Sequence, residues 1–88
     1  MSESGSREIE AFLDAMWMER GLSDNTLSAY RNDLAGFMTW LTERGSSLLS
    51  AKREDLLDYL GGRVSEGAKP RTTARLLSSL RRFYRYQV

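Results

Sequence analysis

The chain has 88 residues, 41% apolar and 28% charged, enough for one folded domain with a single modest core and too apolar for a disordered tail. With no cysteine and no histidine, it excludes disulfides, thiolate and imidazole chemistry and the common zinc sites, and no cofactor or metal site is expected. The formal charge of +1 hides an asymmetry: residues 1–66 hold seven Lys/Arg against all twelve acids, a net of −5, whereas residues 67–88 hold six cations and no acid.

Residues 1–6 are expected to form a flexible N-terminus, and MSESGSREIE has neither the basic start nor the apolar run of a signal peptide. A cytoplasmic protein without a membrane partner is expected. Ser6 is the expected cap of a first helix over residues 7–20, with Ile9, Phe12, Leu13 and Met16 on one face and Gly21 closing it. Leu22 is placed to fold back on Trp17. A second helix over 24–44 starts from a Ser23 cap, with Asp24 favourably placed against the helix dipole. Its apolar stripe is Leu27, Tyr30, Leu34, Phe37, Met38 and Leu41, and Gly45 ends it.

After the loop GSSLLS, Ser50 is the expected cap of a third helix over 51–66 that buries Leu56, Leu57, Leu60 and Val64. Gly61 and Gly62 lie inside it, at about 1 kcal/mol each relative to alanine. They imply a close approach by another helix backbone or a break at Leu60, and the spacing favours continuity. Gly67 stops this helix, and Pro70 in the first helical position opens a fourth over 70–87. No period-2 alternation or hairpin turn is present, so the fold class is all-α, a compact bundle of four helices over residues 7–88.

The fourth helix has two faces. Leu76, Leu77, Leu80, Phe83 and Tyr84 share one, and Arg71, Arg75, Arg82 and Arg85 share the other with Ser78, while Arg81 lies at the edge. An outer face without a single acid repels itself unless something anionic is present. Arginine's planar fork suits phosphate and guanine edges. The first amides of this helix, near Arg71, Thr72 and Thr73, carry the positive end of the dipole. A nucleic-acid surface is the first reading; a helical protein-interaction module whose basic helix docks an acidic partner is the second.

Two patterns are more specific: Leu-Ser-x-x-Thr-Leu-x-x-Tyr-Arg-x-Asp-Leu over Leu22 to Leu34, and Leu-Ser-x-Leu-Arg-x-Phe-Tyr over Leu77 to Tyr84. With them the chain resembles, from about Arg7 to Val88, the N-terminal core-binding, SAM-like domain of tyrosine site-specific recombinases, and within that family the chromosome-dimer recombinases. The resemblance implies one half of a clamp around duplex DNA at a recombination site, with the second and fourth helices facing the DNA. It places Asn25, Thr26, Ser28 and Arg31 on the second helix and Arg71, Thr72, Arg75, Ser79 and Arg82 on the fourth among the DNA contacts, and the basic face adds Arg85. It further implies duplex DNA, a related recombinase and sister protomers as partners, and no small-molecule substrate. The family's catalytic arginines, lysine, histidines and nucleophilic tyrosine are expected beyond Val88, so the fragment itself is not expected to be an enzyme. The family's domain also continues past this point, which implies a further helix and apolar surface left open here.

Several residues admit plainer readings. Tyr30 shares the apolar stripe of its helix and is read as core, or as a buried hydroxyl with one partner. Arg31 is divided between DNA and an ion pair with Asp24 or Asp33. Thr26 and Ser28 are equally suited to local hydrogen bonds, and Thr72 and Thr73 to bonding water or neighbouring carbonyls. Tyr86, beside Arg85, is read as packing rather than as a nucleophile. Trp17, Met18 and Trp40 are incompletely covered by the stripes, and the acidic first helix is read as a solvated face.

Overall fold

The computed structural model describes residues 4–87 and has four helices: α1 (Ser4–Arg20), α2 (Asp24–Glu43), α3 (Arg53–Ser65) and α4 (Pro70–Gln87). Residues 1–3, half of the expected flexible N-terminus, and Val88 lie outside the described residues. Among the described residues there is no strand, as the sequence pattern requires. α2 runs through the middle and packs against each of the other helices, whereas α1 and α3 do not pack on each other.

The helix ends follow local chemistry. The Ser23 hydroxyl accepts from the Thr26 amide at 3.3 Å and opens α2. At its other end Gly45 takes φ +76°; its amide donates to the Thr42 carbonyl and that of Ser46 to Leu41. Gly67 repeats this closure on α3, with its own amide bonded to Val64 and that of Ala68 to Arg63. Gly21, at φ +61°, ends α1 with one bond to the Trp17 carbonyl.

Two expected starts are displaced. α1 begins at Ser4, so Ser6 lies inside the helix and caps nothing. Gly5 is buried there, and a Cβ added to it would overlap the Met38 sulfur, so the first turn of α1 lies tight on α2. α3 begins at Arg53 rather than 51. Ser50 belongs to a turn closed on Ser47, and Asp55 supplies the cap by accepting from the Lys52 amide at 2.9 Å. A carboxylate reaching back three residues satisfies a first-turn amide and opposes the dipole's positive end.

The core draws Ile9, Phe12, Leu13 and Met16 from α1, Tyr30, Leu34, Phe37 and Leu41 from α2, and Leu76, Leu80 and Phe83 from α4. Phe12 meets Phe83 edge-to-face at 5.5 Å and lies along Tyr30 at 6.2 Å. The expected face of α3 is rotated. Leu57 and Val64 are 58% and 56% exposed, and the buried residue is Tyr59, between half-buried Leu56, Leu60 and Arg63. The cause is on α2, where Gly36 leaves room for the Tyr59 ring to pack on Phe37 at 5.0 Å and Trp40 at 5.2 Å. Trp40 is covered by this cluster and by Arg44, whose guanidinium lies 4.3 Å above its ring. No backbone approaches Gly61 or Gly62; the helix runs through both in open space.

One loop residue and one hydroxyl tie the ends of the bundle together. Leu48 is buried, and its carbonyl accepts from the Tyr84 hydroxyl at 2.6 Å. Burial, reinforced by the charge of Asp55, raises the Tyr84 pKa to about 12. An acid whose pKa is higher folded than unfolded stabilises the fold in full below pH 10 and loses that contribution as pH climbs through about 12. The stability of the wild type to denaturation is therefore expected to fall between these values, and Tyr84→Phe to flatten that dependence while costing about 1 kcal/mol at neutral pH. In the same assay Gly61→Ala, in an open helix interior, is expected to stabilise by about 0.5–1 kcal/mol. Gly45→Ala, forced into the left-handed region, is expected to destabilise by about 1 kcal/mol.

Candidate nucleic-acid interface

Asp33 lies on the apolar stripe of α2 and Ser79 on that of α4; the two positions meet where the helices pack. Asp33 is 8% exposed and Ser79 fully buried. The Ser79 hydroxyl donates to Asp33 Oδ2 at 2.8 Å and sits 3.1 Å from the Arg75 carbonyl. Arg75 closes the arrangement, with Nη2 donating to Oδ1 at 2.8 Å and Nε to Oδ2 at 3.2 Å. A buried carboxylate is tolerable only when both oxygens are engaged, and here both are. The hydrogen bonds to Asp33, and then its charge, push the Arg75 pKa up still further.

This network revises two site expectations. Ser79 has no surface to offer a ligand and serves as an internal tie. Arg75 is not a bare cation: it is the one arginine of the basic face with a described carboxylate partner. Its Nη1 is left outside the paired edge, and about half of its side chain is exposed.

Arg71, Arg82 and Arg85 are exposed and form no ion pair among the described residues. With Arg75 and Ser78 they follow one another at helical spacing along the side of α4 nearest α2, where Arg82 reaches over the Tyr30 ring at 6.0 Å. Tyr30 is core, as its stripe requires. Arg82 and Arg85, together with Met16, Glu19, Arg20 and Tyr86, line a groove of about 260 Å³ between the ends of α1 and α4. Tyr86 itself packs on Phe12 at 5.7 Å.

The α2 candidates divide between two sides. Asn25 and Ser28 are exposed, and Thr26 is half-buried, its hydroxyl accepting from Ser23 at 3.1 Å. Arg31 pairs with Glu10 of α1, not with Asp24 or Asp33. The reason is angular: two residues apart on a helix, Arg31 and Asp33 point about 160° from each other, one toward α1 and one toward α4. Both partners of the Arg31 pair are half-exposed, which makes it a weak, exchangeable ion pair.

A second cleft, about 330 Å³, opens between α2, α3 and α4, lined by Asn32, Asp33, Gly36, Tyr59, Arg63, Thr72, Arg75 and Leu76. It brings Thr72 and Arg75 together, and it includes Asn32 and Arg63, which the sequence pattern did not single out. Trp17 and Met18 remain exposed at the end of α1, as incomplete coverage by the stripe implied.

Arg75→Ala is expected to cost about 2 kcal/mol in urea denaturation, because it strands the Asp33 carboxylate, whereas Arg71→Ala should change stability by under about 0.5 kcal/mol. A double-mutant cycle between Asp33→Ala and Arg75→Ala should return a coupling of about 1–2 kcal/mol. A coupling near zero would contradict the network.

Over residues 9–88 the chain matches a family model described as Phage integrase, N-terminal SAM-like domain. It is 56% identical over 78 residues to a protein of Pseudomonas putida named Tyrosine recombinase XerD, covering 89% of this chain and 26% of that protein. A protein of the same name from Yersinia pestis is 45% identical over 86 residues, covering 98% and 29%. One from Proteus mirabilis is 51% identical over 78 residues, covering 89% and 25%. The chain thus spans about a quarter of the length of these curated relatives. No solved structure matches it significantly.

Proposed function

Because this chain belongs to the phage integrase N-terminal SAM-like domain family, we propose that it is the DNA-binding domain of a XerD-like tyrosine recombinase, clamping duplex DNA at a recombination site in chromosome dimer resolution. The observation that carries this reading is the basic stripe of α4, in which Arg71, Arg82 and Arg85 stand exposed and without carboxylate partners among the described residues. An anion relieves the repulsion of like charges held along one face, and a duplex, which presents phosphates in rows, releases its condensed cations when those phosphates are neutralised.

In this reading Arg71, Arg82 and Arg85 neutralise phosphates, and Arg75, aimed by Asp33, offers its remaining edge to a phosphate or a guanine. Thr72 contributes from the start of α4, where the amides of the first turn lack intrahelical partners. Asn25, Thr26 and Ser28 add contacts from the start of α2. Arg31 joins them by exchanging Glu10 for a phosphate. Strand exchange belongs to the remainder of the full-length protein, whose partners are a XerC-like recombinase and sister protomers. The exposed Asp14 of α1 turns its side of the domain away from the duplex.

Titration of a labelled duplex at several salt concentrations tests the reading. With Arg75 already paired, about three to four phosphates are neutralised, so the log–log salt slope should be about −3 to −4. Replacing Arg71, Arg82 and Arg85 together by alanine should abolish binding at moderate salt and leave the thermal midpoint nearly unchanged. A flat salt response, or capture of an acidic protein in place of duplex, would instead favour the protein-interaction module.

A further inference from the structure

The cleft between α2, α3 and α4 contains a cation that lies outside the basic stripe of α4. Arg63, in the last turn of α3, lines it together with Arg75 and Thr72 of α4. We propose that this cleft seats one backbone phosphate of the bound duplex, gripped by Arg63 from α3 and by Arg75 and Thr72 from α4. The proposal rests on the DNA reading above and extends the interface to a third helix.

Three features of the cleft favour an anion. Its polar lining is rich in donors: Asn32, Tyr59, Arg63, Thr72 and Arg75 all bring N–H or O–H groups. The carboxylate in its lining, Asp33, has both oxygens engaged by Arg75 and Ser79, so it does not compete for the remaining donors, and its charge is balanced by that of Arg75. Arg63, finally, is undersupplied with acceptors. Among the described residues its Nε is buried with no hydrogen-bond partner, and its carboxylate neighbour Glu66 stands 3.9 Å from Nη1, too far for a hydrogen bond.

The surroundings suit a phosphate in particular. Burial raises the Tyr59 pKa, so its hydroxyl remains a donor at neutral pH. Gly36 has no side chain to fill the floor of the cleft beneath Tyr59. The volume of about 330 Å³ admits a phosphate with part of its flanking sugars. The guanidinium of Arg63 on one helix and the outward Nη1 of Arg75 on another can then bind two non-bridging oxygens.

The test uses the 88-residue chain, a labelled duplex and a salt series, with Arg63→Gln and Arg63→Lys beside the wild type. Gln keeps much of the stem that packs near Tyr59, so both variants are expected to retain the wild-type thermal midpoint. Arg63→Gln should weaken duplex binding roughly tenfold at fixed salt and make the log–log slope shallower by about 0.9, the signature of one phosphate. Arg63→Lys should preserve the slope. If the wild type binds with its full slope and Arg63→Gln leaves affinity or slope unchanged, the phosphate seat is wrong and the DNA reading stands. If the wild type shows no salt-dependent duplex binding, both fall together.

Discussion

The Asp33 carboxylate, held between α2 and α4, is the constraint on which the other features turn. An ionised group at 8% exposure is costly to bury, and the cost is met only in one registry of the two helices, where Ser79 and Arg75 reach its oxygens. Apolar contacts between Leu34, Phe37, Leu76 and Leu80 tolerate small slides and rotations; three directed hydrogen bonds to one carboxylate do not. The network thereby orients α4, and with it the entire arginine stripe, relative to α2.

The same pairing makes sense of the charge distribution. The last 22 residues hold six cations and no acid, yet the molecule does not leave all of them bare. Asp33 reaches into that segment from α2 and quiets one arginine in the second turn of α4, while Glu10 does the same for Arg31 on the opposite side of α2. What remains is a run of arginines on α4 without carboxylate partners among the described residues, bracketed by a groove at the α1 end and a cleft at the α3 end. Repulsion along the stripe is relieved in its middle and persists at its ends.

Much of the fold was legible because helices in a small domain are bounded by local chemistry. Ser23, Gly21, Gly45, Gly67 and Pro70 each mark an end that the structure places within a residue or so. The failures have physical causes of their own. Ser50 lost to Asp55 because a carboxylate within the helix can cap from the third position, which a search for a preceding hydroxyl overlooks. The face of α3 was misread because Leu57 and Val64 are the more apolar residues, whereas Tyr59 is buried by the room at Gly36, a fact about another helix. The burial of Ser79 and the pairing of Arg75 went unread although their signal was present: Asp33 and Ser79 are polar residues on apolar stripes. An acid on one stripe and a hydroxyl on a facing stripe are more economically explained by each other than by an external ligand. Arg63 carried no such signal, since its place in the cleft comes from tertiary packing alone.

The arginines of α4 therefore differ in what they can contribute. Arg71, Arg82 and Arg85 are long side chains without a carboxylate partner among the described residues; in the proposed reading they lose rotamer freedom on meeting a duplex but bring full charge, and so supply salt-dependent affinity without fixing geometry. Arg75 has already lost that freedom to Asp33, and part of its charge is neutralised within the fold. Its outer edge is aimed, and it adds direction at little further entropic cost. Replacing Arg75 by lysine would keep the sign of the charge and lose both functions, since an ammonium cannot engage Asp33 along two parallel bonds and still present a second edge outward. In this way an acid inside the bundle gives one member of a basic stripe a fixed orientation, and in the proposed reading leaves the exposed members on either side to supply attraction.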